Sequence, residues 1–295
     1  MTIRPRRSVL YMPGSNTRAM EKAKSLAADG LIFDLEDAVG PDAKADAREK
    51  VAAALGAGGF GRREIIVRIN GLDTPWGIDD LDAVCKAGPH AILVPKVSSP
   101  SDVARASEQL GKRDPDLKIS LWLMMETPLA VLNSKDIAAS SKGLASRLSC
   151  LVMGTNDLAK ELHAAEVADR APLVPALAVC VLAASAYGLA ILDGVFNNVK
   201  DLDGFTAQCR HGAELGFDGK TLIHPSQIEA CNRIYAPKPE EVAWSRKVIA
   251  AFDLPENRPK GAISLDGKMV ERLHVEQARR LVELADSIAA AEDAR

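Results

Sequence analysis

Short apolar runs rich in β-branched residues alternate along the chain with longer stretches of helical periodicity. The runs occupy residues 8–12, 30–33, 64–69, 91–94, 119–125, 150–153, 189–192 and 217–223, which makes eight candidate strands. Between them, residues 16–28, 44–55, 102–110, 133–139, 175–187 and 205–215 read as helices, several with Asn, Asp or Ser near the start as N-terminal capping requires. Strands that are apolar almost throughout, each followed by a helix, mean a parallel sheet covered on its faces. Eight such units predict an α/β fold closed into a (β/α)₈ TIM barrel, with an open doubly wound sheet as the weaker alternative.

Two segments have no part in that count. Residues 253–261 read as a linker, and residues 275–289 as an amphipathic helix with Leu281, Leu284 and Ile288 on one side. The expected organisation is therefore a catalytic barrel over residues 1–255 and a C-terminal helical extension over 256–295. At 295 residues and 47% hydrophobic, the chain has enough apolar material for a barrel of roughly 250 residues.

Charge narrows the function classes. The 37 basic and 40 acidic residues nearly cancel, so neither a nucleic-acid footprint nor a membrane-surface bias is expected. Residues 1–7 are basic but lead into a strand-like run rather than a signal-type apolar core, and no apolar run is long enough to span a bilayer. Cys85, Cys150, Cys180, Cys209 and Cys231 are odd in number and lack zinc-site spacing, which points to a reducing cytoplasm.

The most informative pattern is where charge sits relative to the strands. Asp34, Glu36 and Asp37 follow the second strand, Arg68 and Asn70 end the third, and Lys96 follows the fourth. Glu126 closes the fifth, Asn156 and Asp157 follow the sixth, and Asp193 follows the seventh. In a parallel barrel these positions converge on one mouth. Glu126 and Asp157, on successive strands, are placed to share one divalent ion with room for water and substrate oxygens, as Mg²⁺ prefers; taken singly, each reads equally as a helix-start carboxylate. The Arg68 guanidinium can hold a carboxylate or enolate oxygen in its planar fork, or pair with Asp34 or Glu36, and the two roles are compatible. Lys96 reads as a rim lysine. Gly14-Ser15-Asn16, with Arg6, Arg7, Arg18, Lys22 and Lys24 nearby, could meet an anionic cofactor or be an ordinary solvated surface. His224 before Pro225 reads as structural, and no Ser-His-Asp order or nucleophile elbow is present. Asp266, between apolar residues and glycine in the segment 261–270, is the candidate mobile acid or base.

These motifs resemble the citrate lyase beta-subunit and malyl-CoA lyase group of the HpcH/HpaI aldolase superfamily. The resemblance runs through residues 6–14, Phe33-Asp34-Leu35-Glu36-Asp37, Val67-Arg68-Ile69-Asn70, Glu126-Thr127-Pro128, Gly154-Thr155-Asn156-Asp157-Leu158, Gly216-Phe217-Asp218-Gly219-Lys220, Ile223-His224-Pro225 and Leu265-Asp266-Gly267-Lys268-Met269. It implies a TIM barrel assembling as a homotrimer or hexamer, with Glu126 and Asp157 on Mg²⁺, or Mn²⁺ in its place. Arg68, Arg7, Gly154, Thr155 and Asn156 are then expected on the CoA ester, and Asp34, Glu36 and Asp37 behind them. Asp266 is expected to act in trans, on a lid packing over a neighbouring subunit. The implied reaction is Mg²⁺-dependent carbon–carbon cleavage of a 3-hydroxyacyl-CoA, citryl-CoA or malyl-CoA in type, to acetyl-CoA and a 2-oxo acid. The alternatives are a malyl-CoA thioesterase and a non-autonomous beta subunit of an acyl-carrier complex. Where complex-bound subunits often carry Asn, this chain has Asp266, which favours a stand-alone enzyme. Ala130 and His163 replace glycines common in the group and leave the substrate open.

Overall fold

The computed structural model describes residues 4–143 and 146–293; the first three residues of the basic N-terminus and the last two of the expected extension lie outside the described residues. The chain divides into two compact units, Arg6–Tyr235 and a second beginning at Ala236.

In the first unit all eight expected strands form: β1 (Ser8–Pro13), β2 (Gly30–Asp34), β3 (Glu64–Arg68), β4 (Ala91–Val94), β5 (Ser120–Met125), β6 (Leu148–Met153), β7 (Ala190–Asp193) and β8 (Gly219–Leu222). Each pairs in parallel with the next, and β8 pairs with β1 through Ser8↔Lys220, Val9↔Thr221 and Leu10↔Leu222 to close a (β/α)₈ barrel. Strand side chains alternate between two apolar clusters, as the two-residue period of a strand demands. One set, including Val9, Ile32, Ile66, Trp122 and Val152, fills the barrel. The other, including Leu10, Leu31, Phe33, Val67 and Leu151, packs outward against the helices. The lower end is sealed by charge: Arg6 binds Glu64 through Nε at 2.6 Å and Nη2 at 2.9 Å, with its guanidinium 4.8 Å from the Trp122 ring centre.

A buried ionic group ties β7 and β8 to the outer layer. Lys220 Nζ lies 2.9 Å and Arg170 Nη1 2.6 Å from the two oxygens of Asp193, and neither Lys220 nor Asp193 is exposed. Burial opposes ionisation of Asp193, but the two cations more than offset it and hold its carboxyl below the usual range. Among the described residues no helix is long and apolar enough to cross a membrane.

The second unit holds a helix (Pro239–Asp253), a two-stranded hairpin of β9 (Ala262–Leu265) and β10 (Lys268–Glu271), and a long helix (Arg272–Glu292). Val248, Phe252, Val270, Val275 and Ala278 form its own small core. The chain therefore passes between units at Tyr235, not near residue 255: the helix Pro239–Asp253 spends its apolar face on the later helix and hairpin. The antiparallel register Lys268↔Leu265 leaves Asp266 and Gly267 as a two-residue turn with φ of 47° and 76°. Both positive values are those of a type I′ turn, for which Asp-Gly is a preferred pair.

Replacing Lys220 with Met should cost about 3 kcal/mol, because Asp193 would stay buried with Arg170 as its only cation. Urea unfolding of the full chain measures this, and an unchanged midpoint would contradict it.

Candidate active site at the barrel mouth

Parallel closure puts every strand's C-terminal end on one rim, and there the first unit has a cavity of about 380 Å³ lined by Asp34, Asp37, Arg68, Glu126 and residues 154–157. Arg68 ends β3 directly opposite Asp34 at the end of β2. Its Nε and Nη2 each donate to Asp34 at 2.7 Å, a bidentate pair, while Nη1 lies 2.8 Å from Glu36 and 3.2 Å from Asp37. Asp34 also accepts from the backbone N–H of Glu36 at 2.9 Å and Ala38 at 3.1 Å. Lys44 Nζ holds the same loop by donating to the carbonyls of Leu35 and Glu36 at 2.9 and 2.7 Å. The Arg68 guanidinium sits 5.0 Å from the Tyr11 ring centre, a cation–π contact on its other face. So Asp34, Glu36 and Asp37 aim the arginine, and Arg68 lines the cavity.

Glu126 directly follows β5, and Asp157 sits in the first turn of the helix Thr155–Glu161 that follows β6, the two strands being paired through Met125↔Met153. Glu126 is buried, and its Oε1 accepts the Lys96 backbone N–H at 2.7 Å. Gly154 makes room for it, since a Cβ there would stand 2.4 Å from the Glu126 Cβ. The Lys96 ammonium contacts Asp157 Oδ2 and lies 3.8 Å from Glu126 Oε1. Burial pushes the Glu126 carboxyl upward against the pull of Lys96, and burial likewise pushes Glu36 up to about 8 against the pull of Arg68.

Five carboxylates (Asp34, Glu36, Asp37, Glu126 and Asp157) thus meet two cations, Arg68 and Lys96. Carboxylates outnumber the cations among these side chains, a balance that suits a divalent cation. Among the described residues no group of three or more His, Cys, Asp or Glu is disposed to hold a metal. An ion held by Glu126 and Asp157 would need water or substrate oxygens for its remaining ligands, the habit of Mg²⁺.

Thr155 packs against Gly194, where a Cβ would stand 2.3 Å from its Oγ1, and Asn156 exchanges two amide hydrogen bonds with Asn197, of 2.9 and 3.2 Å. Asn70 is structural: its side chain donates to the Leu35 carbonyl at 2.9 Å and to Asp80 at 2.6 Å. Arg7 does not join the mouth. It precedes β1, at the opposite end of the barrel, and binds Asp29 through Nε at 2.8 Å and Nη2 at 3.0 Å. Asp266 lies in the second unit, exposed at the hairpin turn, with Lys247 Nζ 3.2 Å away. Sequence reasoning missed Tyr11, Asn197 and the bridging position of Lys96. Tyr11 was accessible in principle, because an inward-facing position near the end of β1 follows from strand alternation.

The HpcH/HpaI aldolase/citrate lyase family model matches residues 7–225. A (3S)-malyl-CoA thioesterase of Cereibacter sphaeroides is 49% identical over 97% of this chain and 96% of its own length. The citrate lyase subunit beta of Leuconostoc mesenteroides subsp. cremoris is 36% identical over 96% and 94%. The crystal structure of CitE from Mycobacterium tuberculosis in complex with magnesium, acetoacetate and coenzyme A is 28% identical, with a TM-score of 0.71 over 95% of this chain and 97% of that one.

Because Glu36 binds its proton more tightly folded than unfolded, the metal-free protein should lose stability as pH rises from about 4.5 towards about 8, then level off. Thermal melts in a chelator should show this slope reduced in Glu36→Gln; an equal slope in both would refute it.

Proposed function

The chain belongs to the HpcH/HpaI aldolase/citrate lyase family of lyase enzymes, and from that premise we propose that it acts on a malyl-CoA-type 3-hydroxyacyl-CoA ester, hydrolysing its thioester. The observation that carries this is the 49% identity, over almost the full length of both chains, to proteins named as (3S)-malyl-CoA thioesterases. The barrel mouth supports it with a fixed guanidinium beside two carboxylates, charges matched to an anionic substrate bound through a divalent cation. Glu126 and Asp157 are the proposed Mg²⁺ ligands. When bound, the ion polarises substrate oxygens and lowers the pKa of a hydroxyl or water attached to it.

Arg68 is the proposed partner of the oxygen on which charge develops. Its aim is set before substrate arrives, because Asp34 grips it in two places, so little reorganisation is needed as that charge grows. Asp266 is the proposed acid–base group, delivered by the C-terminal segment of a neighbouring subunit in a trimer or hexamer. As base it takes a proton from water while the water oxygen adds to the thioester carbon. The carbonyl electrons move to oxygen and return as the carbon–sulfur bond breaks, and the proton passes from Asp266 to the leaving thiolate.

Carbon–carbon cleavage is the second reading, favoured by family membership and by the 36% identity to a citrate lyase subunit beta. There Asp266 takes the proton of the substrate hydroxyl, the oxygen's electrons form the new carbonyl as the adjacent carbon–carbon bond breaks, and the electrons of that bond form the enolate of acetyl-CoA opposite Arg68. Asp266 then protonates the enolate carbon.

Purified full-length protein with Mg²⁺ and (3S)-malyl-CoA should yield malate and free CoA in a mass-spectrometric assay. Acetyl-CoA with glyoxylate would establish the second reading, and neither product set would sink both. Asp266→Ala should lower turnover by roughly 10²–10⁴-fold with Mg²⁺ binding retained. Turnover equal to wild type would remove Asp266 from the chemistry.

A further inference from the structure

Lys96 has no part in the proposed chemistry, yet its backbone and side chain are both committed to the two carboxylates at the heart of the mouth. Its φ of 56° lies in the left-handed region, which residues bearing a Cβ rarely enter and which persists where the surroundings impose it. In that conformation the backbone N–H meets Glu126 Oε1 at 2.7 Å, and the side chain turns back across the mouth. The ammonium then contacts Asp157 Oδ2 with Glu126 Oε1 3.8 Å away, so one cation spans the end of β5 and the start of the helix Thr155–Glu161. A lysine serving only the rim would need neither the strained backbone nor this double contact.

The three side chains differ in their freedom to move. That of Glu126 is 2% exposed and that of Asp157 31%, whereas that of Lys96 is 42% exposed. The ammonium can therefore leave for solvent while the carboxylates stay. An ammonium and a divalent ion held between the same two carboxylates would repel each other at close range.

We propose that Lys96 is an internal counter-ion which holds Glu126 and Asp157 together and is displaced when a hard divalent cation enters between them. This rests on the metal reading above. The lysine suppresses repulsion between the carboxylates and sets the cation affinity of the free protein low, so that firm cation binding awaits the oxygens of an anionic substrate. Lys96 is thus a positioning residue for the metal ligands rather than a group in contact with the reacting atoms.

Mn²⁺ titration of the full-length protein, followed by electron paramagnetic resonance of the free ion, tests the exchange. Lys96→Met should bind Mn²⁺ roughly tenfold or more tightly than wild type once the competing charge is gone. Lys96→Gly should do the same in a backbone suited to positive φ, which guards against a folding defect in the first variant. Lys96→Arg, keeping the charge, should stay close to wild type, and Asp157→Asn should abolish binding. In a chelator Lys96→Gly should melt below wild type, and saturating Mn²⁺ should close the difference. A merely structural lysine would leave the affinity unchanged and the melting deficit open. Wild-type binding with unchanged or weaker affinity in both neutral variants overturns the exchange alone; no Mn²⁺ binding by any of the proteins overturns the metal reading together with it.

Discussion

The hydrogen bonds that join β8 to β1 are the constraint from which the rest of the first unit follows. Once Ser8, Val9 and Leu10 pair with Lys220, Thr221 and Leu222, eight parallel strands have no free edge and only two kinds of end. All the strand starts lie on one rim and all the strand ends on the other. The starting rim is closed by ion pairs such as Arg6 with Glu64 and Arg7 with Asp29, which seal a packed interior. The ending rim gathers Asp34, Arg68, Glu126 and Asp157 around a cavity instead. Groups scattered over more than a hundred residues become neighbours because closure leaves them no other place.

Charge at that rim is arranged in two sets that behave differently. Arg68 and Asp34 are both buried, bind bidentately, and are locked further by backbone N–H groups of the following loop. Removing either partner would strand a buried charge, so this set is rigid. Glu126, Asp157 and Lys96 form the second set, in which the cation is the most exposed member. The mouth thus pairs a fixed guanidinium with a carboxylate pair whose contacting ammonium is partly exposed.

The C-terminal unit shows how composition misleads at short range. Residues 253–261, rich in Pro, Asn and Gly, read as the join between two domains, but the second unit has already begun at Ala236 and the helix Pro239–Asp253 belongs to its core. The hairpin was missed although its signal was present. Asp266-Gly267 is an Asp-Gly pair, and both residues take the positive φ that a tight antiparallel turn requires. The exposure of Asp266 at the tip of the hairpin comes from that turn geometry.

By itself the sequence marked the eight strands and the charged residues that follow them, because each depends on local periodicity and on the one-sided polarity of a barrel, and it favoured closure over an open sheet without excluding the latter. Arg68 with Asp34, and Glu126 with Asp157, were legible for the same reason: each sits at the end of an apolar run. Only the tertiary structure decided the rest. Arg7 looked equivalent to any basic residue beside a first strand, but it precedes β1, and a parallel strand carries its start and its end to opposite faces. Lys96 looked like a rim lysine until a left-handed backbone turned its ammonium between two carboxylates 30 and 61 residues further along the chain. Where a flexible side chain rests is set by the field and space of residues distant in sequence, and local pattern carries no record of either.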